Sequence, residues 1–277
     1  MTDSKTRSRQ CVKPLIITGF GLNCEAETAA AFRLCGCQPT LIHLNDLIAQ
    51  PELLEHHHIL VFIGGFSFGD HLGAGTVFAS RIRHHLIEKL RSFVDDGKLI
   101  LGICNGFQTI TRLGLVPAVD GAYFQVDAAL THNDSNCFRD DWVLLKANPN
   151  SPCVFTRGIE CIPLPIRHGE GKFTVRDQTT LEKLRAAHQD ALYYADPVTH
   201  EPTMEFPYNP NGSVEAIAGV CDPTGRIFGL MPHPEAYLSP YNHCNWRNQF
   251  INGVLPEKGL GVIIFENAVE FAAGHLL

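Results

Sequence analysis

Cys104 lies between a continuous apolar run and a segment with helical spacing, in the stretch KLILGICNGFQTITRLG (98–114). A nucleophile must be accessible yet held rigidly, and a sharp turn from strand to helix provides both when small residues flank it. Gly102 and Gly106 supply this room, and the first unpaired N–H groups of the following helix stabilise a thiolate. The alternative is a buried core cysteine, which is what most single cysteines are. A catalytic interpretation therefore requires a base elsewhere in the chain.

The best candidate for that base among the fourteen histidines is His233, in the stretch GLMPHPE (229–235). It follows a strand-like run, and Glu235 stands two residues further on. A carboxylate on the far side of an imidazole selects its tautomer and stabilises the imidazolium that forms when the ring takes a proton. Cys104, His233 and Glu235 are thus a candidate catalytic triad, although a His-Pro dipeptide by itself usually marks only a turn.

A third strand end, in IGGFSFGD (63–70), offers a place for the oxygen of a tetrahedral intermediate. Gly64 and Gly65 follow a buried strand and allow backbone N–H groups to turn toward a bound carbonyl. Together with the N–H of Asn105, such an amide would form an oxyanion hole, and one donor of this kind contributes ~3 kcal/mol of transition-state stabilisation. Taken alone, the stretch is equally well explained as a glycine-rich turn.

These stretches follow apolar runs typical of buried strands, which alternate with helical patterns. The runs are KPLIITGFG (13–21), PTLIHLN (39–45), HILVFIGG (58–65) and KLILGIC (98–104). Apolar residues three and four positions apart predict an amphipathic helix over 76–95, ended by Gly97. Because strands and helices alternate to about Leu115, we expect a parallel sheet with helices on both faces. The carboxyl ends of its strands would lie at one edge, where α/β proteins bind ligands.

Beyond residue 116 the pattern weakens, and Pro-rich and polar stretches separate short strand-like runs up to about residue 213. We expect a β-rich elaboration with long loops there. The stretches VEAIAGVCD (214–222), PTG and RIFGLMPHPE (226–235) then predict a hairpin with polar residues at its end. The tail GVIIFENAVEFAAGHLL (261–277) predicts a terminal helix packed on the sheet.

The composition excludes several classes of partner. The chain has 277 residues, a formal net charge of −7 and no dense Lys/Arg block, so nucleic acid is not expected to bind. No apolar run approaches the ~18 residues of a membrane span, and the polar start lacks the apolar core of a signal peptide. We therefore expect a cytoplasmic protein with reduced cysteines. The run His56–His58 lacks a second ligand pair at zinc spacing, so no metal site is expected.

Five stretches in this order, GGFSFGD, LGICNGFQ, PIRHGEG, NPNGS and GLMPHPE, resemble the glutaminase subunits of phosphoribosylformylglycinamidine synthase. These subunits are class I glutamine amidotransferases of purine biosynthesis, and the resemblance runs from about Lys13 to Trp246. It implies a class I glutamine amidotransferase-like (flavodoxin-like) α/β fold, with a mostly parallel sheet flanked by helices and β-rich insertions. We expect a single domain over 1–277, with a flexible N-terminus (1–12) and a C-terminal extension (247–277) packed on the domain.

By this resemblance the chain hydrolyses L-glutamine. Cys104 attacks the side-chain amide, His233 carries the proton, and Glu235 orients the imidazole. Ammonia leaves, and water then hydrolyses the γ-glutamyl thioester to glutamate.

The resemblance also implies backbone and substrate contacts, at Gly65 or Phe66, Asn105, Gln108 and His168. The first three would supply the amides of the oxyanion hole, and Gln108 would contact the amino-acid end of glutamine. His168 and Glu170 in RHGEG form a second His–acid combination. We interpret His168 as a glutamine contact or a structural hydrogen-bonding residue rather than a base, because PHPE matches the base and acid of the superfamily directly.

Other stretches concern contacts with a partner protein rather than the chemistry of the site. The polar residues of NPNGS (209–213) are expected to order a loop through Asx-type bonds, and they are also candidates for a surface that faces the partner. Relatives commonly have arginine where this chain has Ala236, and also where Cys137 and Asp141 align. These departures concern the partner interface and the transfer of ammonia more than the triad.

The resemblance implies a partner that consumes the ammonia. In the family a large synthetase subunit uses ATP to convert formylglycinamide ribonucleotide into the amidine, often with a small third subunit. This sequence has no G-x-x-x-x-G-K-[ST] phosphate loop, so we expect no cofactor in this chain and expect ATP and Mg²⁺ to be used by the synthetase. Two alternatives stay open: a glutaminase that feeds another synthetase, such as those making GMP, CTP or carbamoyl phosphate, and a non-catalytic scaffold with the same fold.

Overall fold

A nine-stranded mixed sheet forms the centre of the computed structural model, which describes residues 8–277. Residues 1–7 of the expected flexible N-terminus lie outside the described residues. The strands are β1 (Pro14–Thr18), β2 (Thr40–His43), β3 (Ile59–Phe62), β4 (Leu99–Ile103), β5 (Ala128–Thr131), β6 (Arg139–Ala147), β7 (Cys161–His168), β8 (Lys172–Val175), β9 (Asp190–Ala195), β10 (Ile217–Cys221) and β11 (Ile227–Leu230). The helices are α1 (Glu25–Leu34), α2 (Leu44–Ala49), α3 (Thr76–Asp95), α4 (Asn105–Leu113), α5 (Gln178–Ala186), α6 (Trp246–Ile251) and α7 (Val262–His275).

The main sheet has a parallel half and an antiparallel half. Its order is β2-β1-β3-β4-β11-β10-β9-β6-β7, and β5 pairs with β8 in a separate sheet. The strands from β2 to β11 in this order are parallel, whereas those from β11 to β7 are antiparallel. Every residue of β3 and β4 is buried, as expected where helices cover both faces. The predicted α/β fold is confirmed, and so is the hairpin of β10 and β11.

Helix α3 has the bounds that its apolar periodicity predicts. Its buried face is formed by Phe78, Ala79, Ile82, Leu86, Leu90, Phe93 and Val94. Gly97 follows the helix end with a φ of +72°, a left-handed conformation that glycine adopts without the strain a Cβ would add.

The segment between residues 117 and 210 contains β5 to β9, in agreement with the expected β-rich elaboration. It also contains helix α5, which the apolar pattern does not predict. Asp177 caps this helix, since its carboxylate accepts a hydrogen bond from the N–H of Thr180 at 2.8 Å. The helix buries only Thr180, Leu181 and Leu184, so it carries little of the periodicity that marks α3.

The C-terminal helix α7 packs mainly against α1 and the turn Val154–Thr156. The rings of Phe265 and Phe32 meet edge to face with 5.2 Å between centroids. The side-chain amide of Asn267 donates to the carbonyl oxygen of Phe155 at 2.8 Å. The expected terminal helix is present, but a helix and a turn, rather than a sheet face, supply most of its contacts. Across residues 8–277, no helix combines the length and the apolar character needed to cross a membrane.

Candidate active site

The three stretches that contain candidate catalytic residues, around Gly65, Cys104 and His233, each follow one of three neighbouring strands. β3, β4 and β11 lie side by side and run parallel, so their carboxyl ends share one edge of the sheet. Gly65 comes shortly after β3, Cys104 directly after β4, and His233 shortly after β11. The fold therefore brings together residues that are far apart in the chain.

Cys104 occupies a strained turn between β4 and α4. Its φ of 52° and ψ of −107° lie in a region that residues with a side chain rarely adopt. A Cβ on Gly106 would lie 1.9 Å from the carbonyl oxygen of Phe62, and one on Gly102 would lie 2.9 Å from the carbonyl oxygen of Gly106. Both flanking residues must be small because α4 runs this close to β3 and β4.

The Cys104 side chain lines a cavity of about 290 Å³, although the residue is only 5% exposed. Its Sγ lies 3.7 Å from the carbonyl oxygen of Arg167. Its N–H donates to the carbonyl oxygen of Leu230 at 2.9 Å, which ties the turn to the end of β11. The other lining residues are Gly65, Phe66, Asp70, Gln108, His132, Asn136, Cys137, Phe138, Arg167, His168, Gly169 and Glu170. The thiol therefore faces a space in which a small substrate can bind.

His233 and Glu235 form a buried pair. Nδ1 of His233 lies 2.5 Å from Oε1 of Glu235, and the two side chains are 3% and 1% exposed. The N–H of His233 donates to the carbonyl oxygen of Pro165 at 2.8 Å, so β7 fixes the backbone at this point. Burial opposes the imidazolium, but the charges of Glu235 and Cys104 outweigh it and raise the pKa of His233 well above its ordinary value.

The imidazole and the thiol are neighbours. The charge of Cys104 acts on the pKa of His233, which requires the two side chains to be close. The second ring nitrogen of His233, Nε2, is buried and has no hydrogen-bond partner among residues 8–277. One nitrogen thus holds the carboxylate while the other is free to take a proton, the division of roles that nucleophilic catalysis by a thiol requires.

The structure separates the two candidates for the first oxyanion amide. The N–H of Phe66 donates to the carbonyl oxygen of Gly21 at 2.9 Å, so it is already engaged. The N–H of Gly65, a residue with a φ of +139°, makes no such bond within the described part of the chain. Asn105 is the first residue of α4, where the N–H has no partner inside the helix. The geometry favours Gly65 over Phe66 as the companion of Asn105.

Gln108 lines the cavity, but both ends of its amide are engaged. Its Nε2 donates to the carbonyl oxygen of Glu170 at 2.6 Å, and its Oε1 accepts from Nδ2 of Asn105 at 2.9 Å. The same Nδ2 also donates to Oδ1 of Asp70 at 3.0 Å. Gln108 therefore ties α4 to the loop around Glu170, and contact with the substrate would be a second role for this side chain.

His168 and Glu170 do not form a second base and acid. His168 is buried, and its Nδ1 lies 3.2 Å from Oδ1 of Asn133, while the carboxylate of Glu170 accepts from the N–H of Ala74 at 3.2 Å. Burial, and secondarily the charge of His233, lower the pKa of His168 to about 3. A neutral imidazole without a carboxylate partner is suited to hydrogen bonding rather than to accepting the thiol proton.

A polar network that joins two of the motifs through Asn133, a residue the motifs do not single out, holds the loop after His168. Oδ1 of Asn133 accepts from the N–H of Gly171 at 3.0 Å, and Nδ2 of Asn211 donates to the carbonyl oxygen of Gly171 at 2.8 Å. Asn211 makes the expected Asx-type bond, since its Oδ1 accepts from the N–H of Ser213, two residues on, at 3.1 Å. The three polar side chains of NPNGS are buried, so the expectation that they face a partner is wrong.

Nearly the whole chain matches known proteins. Residues 12–272 match the family of the CobB/CobQ-like glutamine amidotransferase domain. The phosphoribosylformylglycinamidine synthase subunit PurQ of Methanococcus maripaludis is 43% identical over 267 residues, which covers 94% of this chain and 97% of the relative. The subunit of the same name from Dehalococcoides mccartyi is 41% identical over 263 residues, with coverage of 94% and 98%. In the solved structure of PurLQS from Thermotoga maritima, one chain superposes with a TM-score of 0.68 at 28% identity, covering 94% of this chain and 98% of that chain.

Proposed function

Since the chain belongs to the family of PurQ subunits of phosphoribosylformylglycinamidine synthase, within the glutamine amidotransferases, we infer that it is the glutaminase of that enzyme. It hydrolyses glutamine and supplies the ammonia with which formylglycinamide ribonucleotide becomes formylglycinamidine ribonucleotide in purine biosynthesis. The observation that carries this function is the placement of Cys104, which lines a cavity, against the imidazole of the buried pair His233 and Glu235.

The first half of the reaction follows from the positions of these side chains. His233 takes the thiol proton, and the sulfur of Cys104 attacks the amide carbon of the glutamine side chain. The carbonyl oxygen becomes an oxyanion, which the amides of Gly65 and Asn105 stabilise as hydrogen-bond donors. When the C–N bond breaks, the imidazolium returns its proton to the nitrogen, and ammonia leaves a γ-glutamyl thioester on the sulfur.

The second half reverses the roles with water as the nucleophile. His233 takes a proton from a water molecule, and the hydroxide oxygen attacks the thioester carbon. The same two amides stabilise the second oxyanion, the C–S bond breaks, and glutamate leaves as the thiol is restored. Glu235 stabilises the imidazolium in both halves, which matters because burial alone opposes this charge.

The name of the similar relatives, subunits of phosphoribosylformylglycinamidine synthase, and the similarity to a chain of the solved PurLQS structure support a partner within that enzyme complex. We propose that a large synthetase subunit binds ATP and Mg²⁺ and uses the ammonia, that a small third subunit joins the complex, and that this chain binds no cofactor. The lack of a G-x-x-x-x-G-K-[ST] loop in the sequence supports this division of labour. All ten cysteines are free thiols, which supports a reducing compartment, the cytoplasm, as the site of action.

The decisive experiment replaces Cys104 by alanine in the complex reconstituted with the synthetase from the same cell. We expect glutamine-dependent formation of the amidine to disappear while ammonia-dependent formation remains, because the synthetase site lies on another subunit. Undiminished activity with glutamine would refute the assignment of the nucleophile. Loss of both activities, with the complex still assembled, would instead favour a scaffolding role.

A further inference from the structure

Two acidic residues line the same cavity as Cys104, and neither belongs to the catalytic triad. They are Asp70 and Glu170, which we call the cavity carboxylates. Neither forms an ion pair with another side chain of residues 8–277. Burial, and secondarily the charge of Glu170, raise the pKa of Asp70, so the two are near enough to repel each other. A bound cation would relieve this repulsion.

A line of hydrogen bonds ties the cavity carboxylates to the first turn of α4, which begins beside Cys104. Nδ2 of Asn105 donates to Oδ1 of Asp70 at 3.0 Å and to Oε1 of Gln108 at 2.9 Å. Nε2 of Gln108 donates to the carbonyl oxygen of Glu170 at 2.6 Å. One helical turn rises about 5 Å, and about 5 Å also separates the amide carbon of an extended glutamine from its α-nitrogen. The scale of this connection therefore matches the length of the substrate.

His168, which also lines the cavity, has a hydrogen-bond acceptor that is not used. Nδ2 of Asn133 donates to the carbonyl oxygens of Cys137 and His168, both at 2.9 Å, so Oδ1 of Asn133 is an acceptor. Nδ1 of His168 lies 3.2 Å from this oxygen and therefore carries the proton. Nε2 of His168 is left as an acceptor, buried and without a partner within residues 8–277. The side chain is almost wholly buried, at 2% exposure, and an unpaired acceptor at such a place calls for a donor.

We propose that Asp70 and Glu170 bind the α-ammonium group of glutamine and make the glutaminase specific for amides that carry this group; the inference rests on the proposed function. A primary ammonium has three N–H donors and no acceptor, which complements two carboxylates. Hydrogen bonds between ionised groups are about twice as strong as those between neutral groups. Nε2 of His168 accepts a further N–H of the bound substrate. The cavity of about 290 Å³ lies at the lower end of the range for ligand pockets, as a single amino acid requires.

The test compares L-glutamine with glutaramate, the same molecule without its α-amino group, as substrates of the reconstituted complex. A hydrogen bond to a charged group contributes roughly ten- to a hundredfold, so the wild type should prefer glutamine by at least about a hundredfold in kcat/KM.

Asp70→Asn and Glu170→Gln keep the shape of each side chain and remove its charge. Each should lower kcat/KM for glutamine at least about tenfold, mainly through KM, because the α-nitrogen is remote from the bond that breaks. For glutaramate, kcat/KM should stay within about threefold of the wild type. Glu88→Gln is the matched control and should change neither value, because this exposed carboxylate on α3 lies outside the cavity.

Equal losses for the two substrates would show that the cavity carboxylates only hold α4 in place, and this would overturn the subsite. A wild type that uses both substrates equally well would overturn it too. Calorimetric binding of both molecules to the complex with Cys104→Ala separates the subsite from the proposed function. Tighter binding of glutamine that is lost when Asp70→Asn is added, in a complex whose wild type releases no glutamate, would contradict the proposed function and leave the subsite standing. Hydrolysis of glutamine with an undiminished preference in both carboxylate variants would do the reverse.

Discussion

Replacing Glu235 by glutamine keeps the shape of the side chain and removes its charge. In the structure this carboxylate lies 2.5 Å from Nδ1 of His233, and both side chains are almost wholly buried. The imidazolium that forms during hydrolysis would then have no counter-charge on its inner side. Because burial is the largest influence on His233 and opposes its charged form, the substitution should act directly on the proton transfer.

The size of the effect follows from the separation and the burial. Opposite charges 4 Å apart attract by about 4 kcal/mol at an effective dielectric constant of about 20. Removing one member of a buried pair commonly costs about 3–5 kcal/mol. At about 1.4 kcal/mol for each factor of ten, Glu235→Gln should lower kcat for glutamine hydrolysis by roughly 10²- to 10³-fold.

The assay follows glutamate release by the reconstituted complex, with ammonia-dependent synthesis measured on the same preparation. We expect kcat for glutamine to fall while KM changes little, because Glu235 does not line the cavity. Ammonia-dependent synthesis should be unaffected. Alkylation of Cys104 by iodoacetamide should also slow, since a weaker base removes the thiol proton less readily.

Glu170→Gln is the informative comparison, because this carboxylate lines the cavity but accepts its hydrogen bond from the N–H of Ala74. Its loss should change KM more than kcat. If Glu235→Gln kept kcat within about threefold of the wild type, the buried pair would not be part of the catalytic machinery. A larger fall in kcat for Glu170→Gln than for Glu235→Gln would contradict the assignment of Glu235 as the carboxylate that orients the base.

Two further substitutions test the turn between β4 and α4 that carries Cys104, and the second buried histidine, His168. Gly106→Ala should lower the free energy of unfolding by about 3 kcal/mol or more, because the added Cβ would lie 1.9 Å from the carbonyl oxygen of Phe62. The control Gly274→Ala has open space around the added Cβ and should raise the free energy of unfolding slightly. Equal denaturant midpoints for the two variants would contradict the steric argument. His168 has a pKa of about 3 in the folded chain and an ordinary value of 6.5, so below that value the unfolded chain binds a proton that the folded chain does not. The free energy of unfolding must therefore decrease as the pH is lowered. Between about pH 7.5 and about pH 5, urea unfolding should show that the wild type loses about 2 kcal/mol more of this free energy than His168→Gln does. Equal losses in the two proteins would show that His168 is not held neutral.

The parts of the site that the sequence predicts are those specified by local patterns. Each of the stretches around Gly65, Cys104 and His233 combines an apolar run with small or polar residues at the strand end, and such runs are readable in a single sequence. Their meeting follows from the rule that parallel strands present their carboxyl ends at one edge. The bounds of α3 are predicted for a similar reason, since one helix face is apolar over five turns.

The parts that the sequence does not predict depend on contacts between distant segments. The choice between Gly65 and Phe66 is made by the carbonyl oxygen of Gly21, which belongs to another loop. The closeness of Cys24 to His233 arises because both pack around Gly64. Neither of these two contacts produces a periodic pattern in the sequence. Each joins single atoms of distant residues, and those residue types could equally well contact many other partners.

The two buried histidines of the site show how the surroundings assign their roles. His168 and His233 are both almost inaccessible, and burial pushes the pKa of each downward. Only His233 has a carboxylate, that of Glu235, next to its ring, and its pKa rises. The ring of His168 instead contacts the side-chain amide of Asn133, and its pKa falls to about 3. A charge on His233 further opposes a second charge on His168. Pairs of titratable groups driven apart in this way point to the acid–base residue, and on this ground we assign the proton transfer in both halves of the proposed reaction to His233.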